Sequence, residues 1–421
     1  MTISPSFRPD DIAFDAAFAR AQFAGLDGES VFLDNAGGSL VLERVVADVS
    51  DYMRRCPVQL GASYAASAEA ARRMQAARAA LALLVGGGKI GAVQPEEILL
   101  GASSTALLRR LADAKRDSLV SGDEIIVSEA DHESNITPWL RLARRGVVIR
   151  VWHVNRDSLD LELDDLENLM SARTRLVCFT QATNITGTLT RARDAIRIAH
   201  EHGAEVCLDG VAVVPHRLTD VVQLDADYYV LSLYKCFGPH LALMYGKRER
   251  LESLANINHM DVGHEKLPWK LEPGAFAYEL AWGARNIAAY LAELGARHGE
   301  TAGEAERLAR AFMAITAHET RLAGRLLDYL HGKPGVTIIG NRRADARRLP
   351  IVSFTARGRQ PAEVVAAADR HDIGIRHGHF YALRMMRALG LGQAGVTRVS
   401  LAHYNTAGEI DRLIEVLERV L

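Results

Sequence analysis

Short apolar runs recur through the first 245 residues, at 97–100, 124–128, 147–152, 175–180, 205–208, 228–232 and 241–245. Most hold four to six residues, are rich in β-branched or aromatic types, and end at Gly, Asp or Asn. Amphipathic stretches at 105–118, 138–145 and 192–202 fall between several of them. Strand-length runs alternating with helices predict a mostly parallel sheet covered by helices on both faces. Ahead of it, 10–28 reads as a short helix and a loop, and 42–85 as alanine-rich helix ending at Gly86, Gly87 and Gly88. Pro273 and Gly274 mark a change of character. A long helical stretch follows at 278–331, then strands at 336–339, 351–355 and 397–401 mixed with helices at 362–371 and 407–421. The expected division is a large domain at 30–275, a smaller α+β domain at 276–421, and a segment 1–29 packing on the small one.

Bulk properties narrow the class without naming it. A chain of 421 residues is too long for one simple core. A formal net charge of −2 gives no electrostatic reason to expect nucleic acid. No run of 18 apolar residues is present, so no membrane span is expected. The first 15 residues are polar and acidic, unlike a secretory leader. Cys56, Cys178, Cys207 and Cys236 are scattered, with no CxxC pair, so neither a zinc site nor a disulfide framework is expected. A reduced, cytoplasmic protein is the expectation.

Ligands of open α/β sheets bind beyond the carboxyl ends of the strands. After the run at 97–100 come Ser103, Ser104 and Thr105, opening a helix: a phosphate cradle or a plain N-cap. After 124–128 comes His132, in a polar loop where a surface histidine is the ordinary alternative. After 175–180, the amide and hydroxyl groups of Gln181, Asn184, Thr186 and Thr188 form a turn that could be purely structural. Asp209 directly follows the run at 205–208, placed for a ligand or for capping a helix. Lys235 lies among Tyr234, Cys236 and Phe237, where partial burial would lower its pKa and make it a usable nucleophile. An anion cradle, an acid and a desolvated lysine on one rim are what pyridoxal phosphate needs: donors for the phosphate, a carboxylate to keep the pyridine nitrogen protonated, an amine for the aldehyde. The Gly-rich segment before Lys89 lacks the spacing of a P-loop, and no GxGxxG opens a helix. His377 and His379 have no acid or Cys at a ligand spacing, so no metal is expected.

The runs VFLDNAGG (31–38), DHESNITPW (131–139), NITGT (184–188), DGVAVVPH (209–216), SLYKCFGPH (232–240) and RVSLAHYNT (398–406) resemble the class V aminotransferase and cysteine desulfurase family. The likeness covers nearly the whole chain. It implies an aspartate-aminotransferase-like fold of PLP type I and a homodimer with its active site at the subunit interface. It implies Lys235 as the Schiff-base lysine, Asp209 as the acid on the pyridine nitrogen, and His132 stacked on the ring. Ser103, Ser104, Thr105, Ser232, Tyr234 and Asn184 match cofactor contacts. Asn35, Asn184, Tyr381 and Arg398 match groups near the substrate, an amino acid. A guanidinium suits its carboxylate, although a structural salt bridge would also explain Arg398.

Four departures bear on the reaction. Tyr381 stands where desulfurases carry a mobile Cys, and no Cys follows Cys236. Ala212 replaces a Gln expected at the cofactor oxygen, Tyr234 the usual His before the lysine, and Ala275 a Thr that reaches the partner's phosphate. The expectation is a lyase acting by β-elimination, including C–S cleavage. An aminotransferase, epimerase or decarboxylase is the alternative. A non-catalytic PLP-binding relative is the third reading.

Overall fold

The computed structural model describes residues 13–421, so the expectations for 1–12 lie outside the described residues. Thirteen strands follow one another among the described residues. A short β1 (Val31–Phe32) comes first. Then come β2 (Ile98–Gly101), β3 (Glu124–Ser128), β4 (Val148–Trp152), β5 (Thr174–Thr180), β6 (Glu205–Asp209), β7 (Tyr228–Ser232) and β8 (Ala242–Gly246). The last five are β9 (Val336–Ile339), β10 (Ile351–Ala356), β11 (Ile373–Gly374), β12 (Arg376–Gly378) and β13 (Val396–Ser400).

Strands β2 to β8 form one sheet in the order β2-β8-β7-β6-β5-β3-β4, in which only β8 runs against its neighbours. The expected α/β architecture, mostly parallel with a smaller α+β part, is what the chain adopts. Period-two alternation divides each central strand between two cores. Val177, Phe179, Val206 and Leu208 face one; Leu176, Cys178, Cys207 and Val230 face the other. Cys178 and Cys207 are therefore cross-strand core neighbours, which accounts for two of the four thiols.

The second sheet, β12-β13-β10-β9, is antiparallel. β1 pairs with β11 rather than with the large sheet. The helix Ala16–Arg20 also packs toward the C-terminal part, with Arg20 donating to the Tyr404 carbonyl and pairing Glu409 at 2.8 Å. Helices Tyr278–Ala284 and Asn286–Ala296 complete the core of the large sheet through Ala281, Ile287 and Leu291. The helix Glu304–His331 gives Leu308, Phe312 and Ile315 to that core, but Leu322, Leu326 and Leu330 to the small lobe. We propose that the lobes meet inside this helix. No helix among the described residues is long and apolar enough to cross a membrane.

Candidate active site

The carboxyl ends of β2, β3, β5, β6 and β7 converge on one pocket, lined among others by Ser104, His132, Asn184, Asp209, Ser232 and Lys235. Ser103 is extended and caps the helix Ser104–Lys115, its Oγ accepting the Ala106 N–H at 3.1 Å. The first-turn N–H groups beyond that bond point into the pocket's end of the helix. Ser232 Oγ donates to Ser104 Oγ at 3.0 Å, tying the ends of β7 and β2 together. Thr105 lines the same wall.

Asp209 is buried, and one carboxylate oxygen accepts the Val211 N–H at 2.9 Å. Burial raises its pKa to about 6, against the pull of that N–H and of Lys235. Lys235 is lowered to about 8, by desolvation first and by the charge of Arg398 second. His132 is pushed down to about 4 by burial and by Lys235 and Arg398, so its ring is neutral at neutral pH. Its Nδ1 accepts the Ser134 N–H at 3.1 Å, which leaves the ring proton on Nε2. Behind it Asp131, raised well above its ordinary value by burial, is held by Asn135 Nδ2 at 2.8 Å and by the Thr180 N–H at 3.1 Å.

Arg398 comes from β13 of the small sheet. It is 1% exposed, stacks its guanidinium 3.7 Å from the Phe380 ring centroid, and donates to Asp34 at 2.9 Å. Its Nε, and Oδ1 of Asn184, are buried without a partner. The structural salt bridge and an open donor thus coexist in one side chain. Asn184 Nδ2 donates to the Phe380 carbonyl at 3.0 Å. Asn35 is buried, its amide donating to the Ser400 carbonyl at 2.9 Å and accepting from Tyr404, so its polar atoms are engaged with β13 and the turn after it. Tyr234 stacks on His240, centroids 4.7 Å apart and 6° from parallel. Tyr381 is exposed at the mouth, its ring 5.2 Å from that of His132.

The sequence reading assigned no role to Asp34, Arg376 or His216. Asp34 follows an apolar strand as Asp209 does, which was the available signal. Gly37 leaves it room: a Cβ there would lie 2.6 Å from Asp34 Oδ2. His216 lines the pocket with Nδ1 3.0 Å from Glu319 of the long helix, a pairing invisible across 103 positions.

These residues fit pyridoxal phosphate. A buried carboxyl lacks a full counter-charge, a lysine has a lowered pKa, and a hydroxyl-rich helix N-terminus closes the same pocket. The sequence profile of the family "Aminotransferase class-V" matches residues 31–413, and the chain belongs to that family. Its cofactor is pyridoxal phosphate, and it is an enzyme acting on amino acids. The chain is 38% identical to the aminotransferase-like protein FGM3 of Gibberella zeae, over 97% of this chain and 99% of that one. It is 32% identical to the cysteine desulfurase-like protein ustD of Aspergillus flavus, over 98% and 92%. Among solved structures it resembles the cysteine desulfurase CsdA of Escherichia coli, with a TM-score of 0.82 and 28% identity over 97% of this chain and 98% of that one.

Proposed function

We propose that the protein is a lyase that breaks a bond at the β-carbon of an amino acid and releases the side-chain group free. The placement of the thiols carries this reading. Cys236 is fully buried and pushed up to about 12 by desolvation, so it is an inert thiol. The loop facing the site presents Tyr381, and no Cys follows position 236.

Pyridoxal phosphate, when bound, supplies an aldehyde and a protonated ring that draws electrons from the amino acid's α-carbon. Ser104, Thr105, Ser232 and the helix N–H groups would hold its phosphate, with Ser103 keeping that helix end in place. Asp209 would keep the pyridine nitrogen protonated, and His132, as a neutral imidazole, would cover the ring. Lys235 is the attachment point. Its lowered pKa also makes it the base that takes the proton from Cα. Arg398 and Asn184 hold the α-carboxylate: the unpaired Nε of Arg398 is a buried donor awaiting an acceptor. Tyr381 borders the substrate's side chain, while the Tyr234 ring lies beside Lys235 and Asn35 holds the end of β13, the strand that carries Arg398. The working unit is a cytoplasmic homodimer with the site at the interface, where Ala275 forgoes a hydroxyl bond to the partner's phosphate. A second reading, transamination or another reaction at the α-carbon, uses the same residues and is supported by the likeness to FGM3.

The test uses the cofactor-loaded protein. Borohydride should fix the cofactor on Lys235, and turnover of cysteine or its S-conjugates should yield pyruvate with free sulfide or thiol. Alanine together with a sulfur adduct on a cysteine would overturn the lyase reading. A label on another lysine would overturn the site.

A further inference from the structure

Strands β12 and β13 pair Arg376 directly with Arg398. Like charges facing each other across an antiparallel pair are unfavourable unless something lies between them. Asp34 does so, 2.9 Å from Arg398 and 3.5 Å from Arg376. The longer distance exceeds a charge-assisted hydrogen bond, about 2.7–2.9 Å. One carboxylate thus serves two guanidiniums and holds only Arg398 tightly. Arg398 is buried, but the side chain of Arg376 is 59% exposed.

Arg376 faces an outer cavity of about 540 Å³ that opens from Lys235 and His132. His377, His379, Gln360 and Gln393 line it too, and among the described residues no Asp or Glu does. An amino acid held by its α-carboxylate on Arg398 and its amine toward Lys235 would extend its side chain into this cavity. The acid beside these donors is Asp34, 3.5 Å from Arg376 and committed to Arg398.

We infer that the substrate carries a second carboxylate at the end of its side chain and that Arg376 binds it, with His377 and His379 alongside. The class is an acidic amino acid or a conjugate ending in a carboxylate. This deepens the reading above and rests on it for the placement of the α-carboxylate. A planar fork with free N–H groups suits a carboxylate through two hydrogen bonds, which a lysine cannot reproduce.

The test is equilibrium binding to the cofactor-loaded protein, followed by calorimetry and by the cofactor's absorbance. L-Aspartate and L-glutamate are compared with L-asparagine and L-glutamine, and succinate with butyrate as pairs that cannot react. The dicarboxylates should bind about tenfold or more tightly than their neutral partners, the scale of one hydrogen bond to a charge. Arg376→Ala should erase that preference and leave the neutral ligands unchanged, and Arg376→Lys should restore part of it. Equal affinities within each pair, or an equal loss for both members in Arg376→Ala, would overturn the inference while leaving the lyase reading standing. If neutral amino acids perturb the absorbance of Arg376→Ala as in the unmodified protein, the variant is folded and loaded. If no amino acid perturbs the unmodified protein, the underlying reading fails instead.

Discussion

Asp209 shows at the scale of one residue how function is held against stability. Without a cationic neighbour in close contact, its buried carboxyl keeps its proton to about pH 6, against an ordinary 3.8. The folded apoprotein therefore binds a proton that the unfolded chain has released, and stability falls as pH rises from about 4 to about 6. Below that window both states are protonated and the penalty vanishes; above it the penalty is constant. A pyridinium would remove it by supplying the missing charge. Asp209→Asn should accordingly raise the melting temperature of the apoprotein above about pH 6 and leave it nearly unchanged near pH 4, while cutting turnover of the loaded enzyme strongly. Thermal melts across this range check it. A gap that does not change with pH would mean that the residue acts through packing alone.

At the scale of elements, the site depends on an ion pair outside it. Arg78, in the helix Ala65–Val85, meets Glu272 at 2.6 Å with side chains 4% and 1% exposed. Glu272 also accepts the Leu100 N–H of β2 at 2.6 Å, and the Arg78 guanidinium lies 5.2 Å from the Trp269 ring centroid. Breaking a buried pair strands a charge and costs about 3–5 kcal/mol. Glu272→Ala should lose about that much and, because β2 leads into Ser103–Thr105, should weaken cofactor retention. Arg78→Met combined with Glu272→Leu should recover much of the stability. Denaturant unfolding of the singles and the double closes the cycle; a double no more stable than Glu272→Ala would count against it. The sequence foretold the strands of the large sheet to within about a residue, because each is a short apolar run read locally, and all but the edge strand β4 are largely buried. Its single helix at 42–85 is two, Glu43–Arg55 and Ala65–Val85, and its single stretch at 278–331 is three. The break at 56–64 carries the helix breakers Pro57 and Gly61, overlooked inside an alanine-rich stretch, and 297–303 carries Gly299 and Gly303 among polar residues. β1, β11 and β12 were unreadable, being two or three residues long, and β1 and β11 are defined by each other from opposite ends of the chain. The same distance hid Asp34 and Arg376. Lys235, Asp209 and His132 could be placed on one rim from the sequence because each lies at the end of its strand or within four residues of it.

At the scale of the molecule, the helix Glu304–His331 runs from the core of the large sheet to that of the small sheet, and the site mouth is set by contacts between these parts. Three of them hold 380–384 of the small lobe onto the large one. The Glu133 N–H donates to the Tyr381 carbonyl at 2.9 Å, Asn184 to the Phe380 carbonyl at 3.0 Å, and Arg384 pairs with Glu133 at 2.9 Å. Phe380 and Tyr381 have φ of 48° and 60°, a left-handed conformation costly for bulky residues. The segment that presents Tyr381 is thus strained and clamped, and releasing one clamp should let it relax. The Arg384–Glu133 pair is 37% and 32% exposed, so its loss should cost global stability under about 1 kcal/mol. Arg384→Ala should melt within a degree or two of the unmodified protein. Its amides at 379–384 should nonetheless exchange several-fold faster, and KM for the amino acid substrate should rise more than kcat falls, because Phe380 stacks on Arg398 and loses its seat when the segment opens. Hydrogen exchange followed by mass spectrometry reads the loop directly. Unchanged protection at 379–384 would show that the two backbone-directed hydrogen bonds hold the mouth closed without the ion pair.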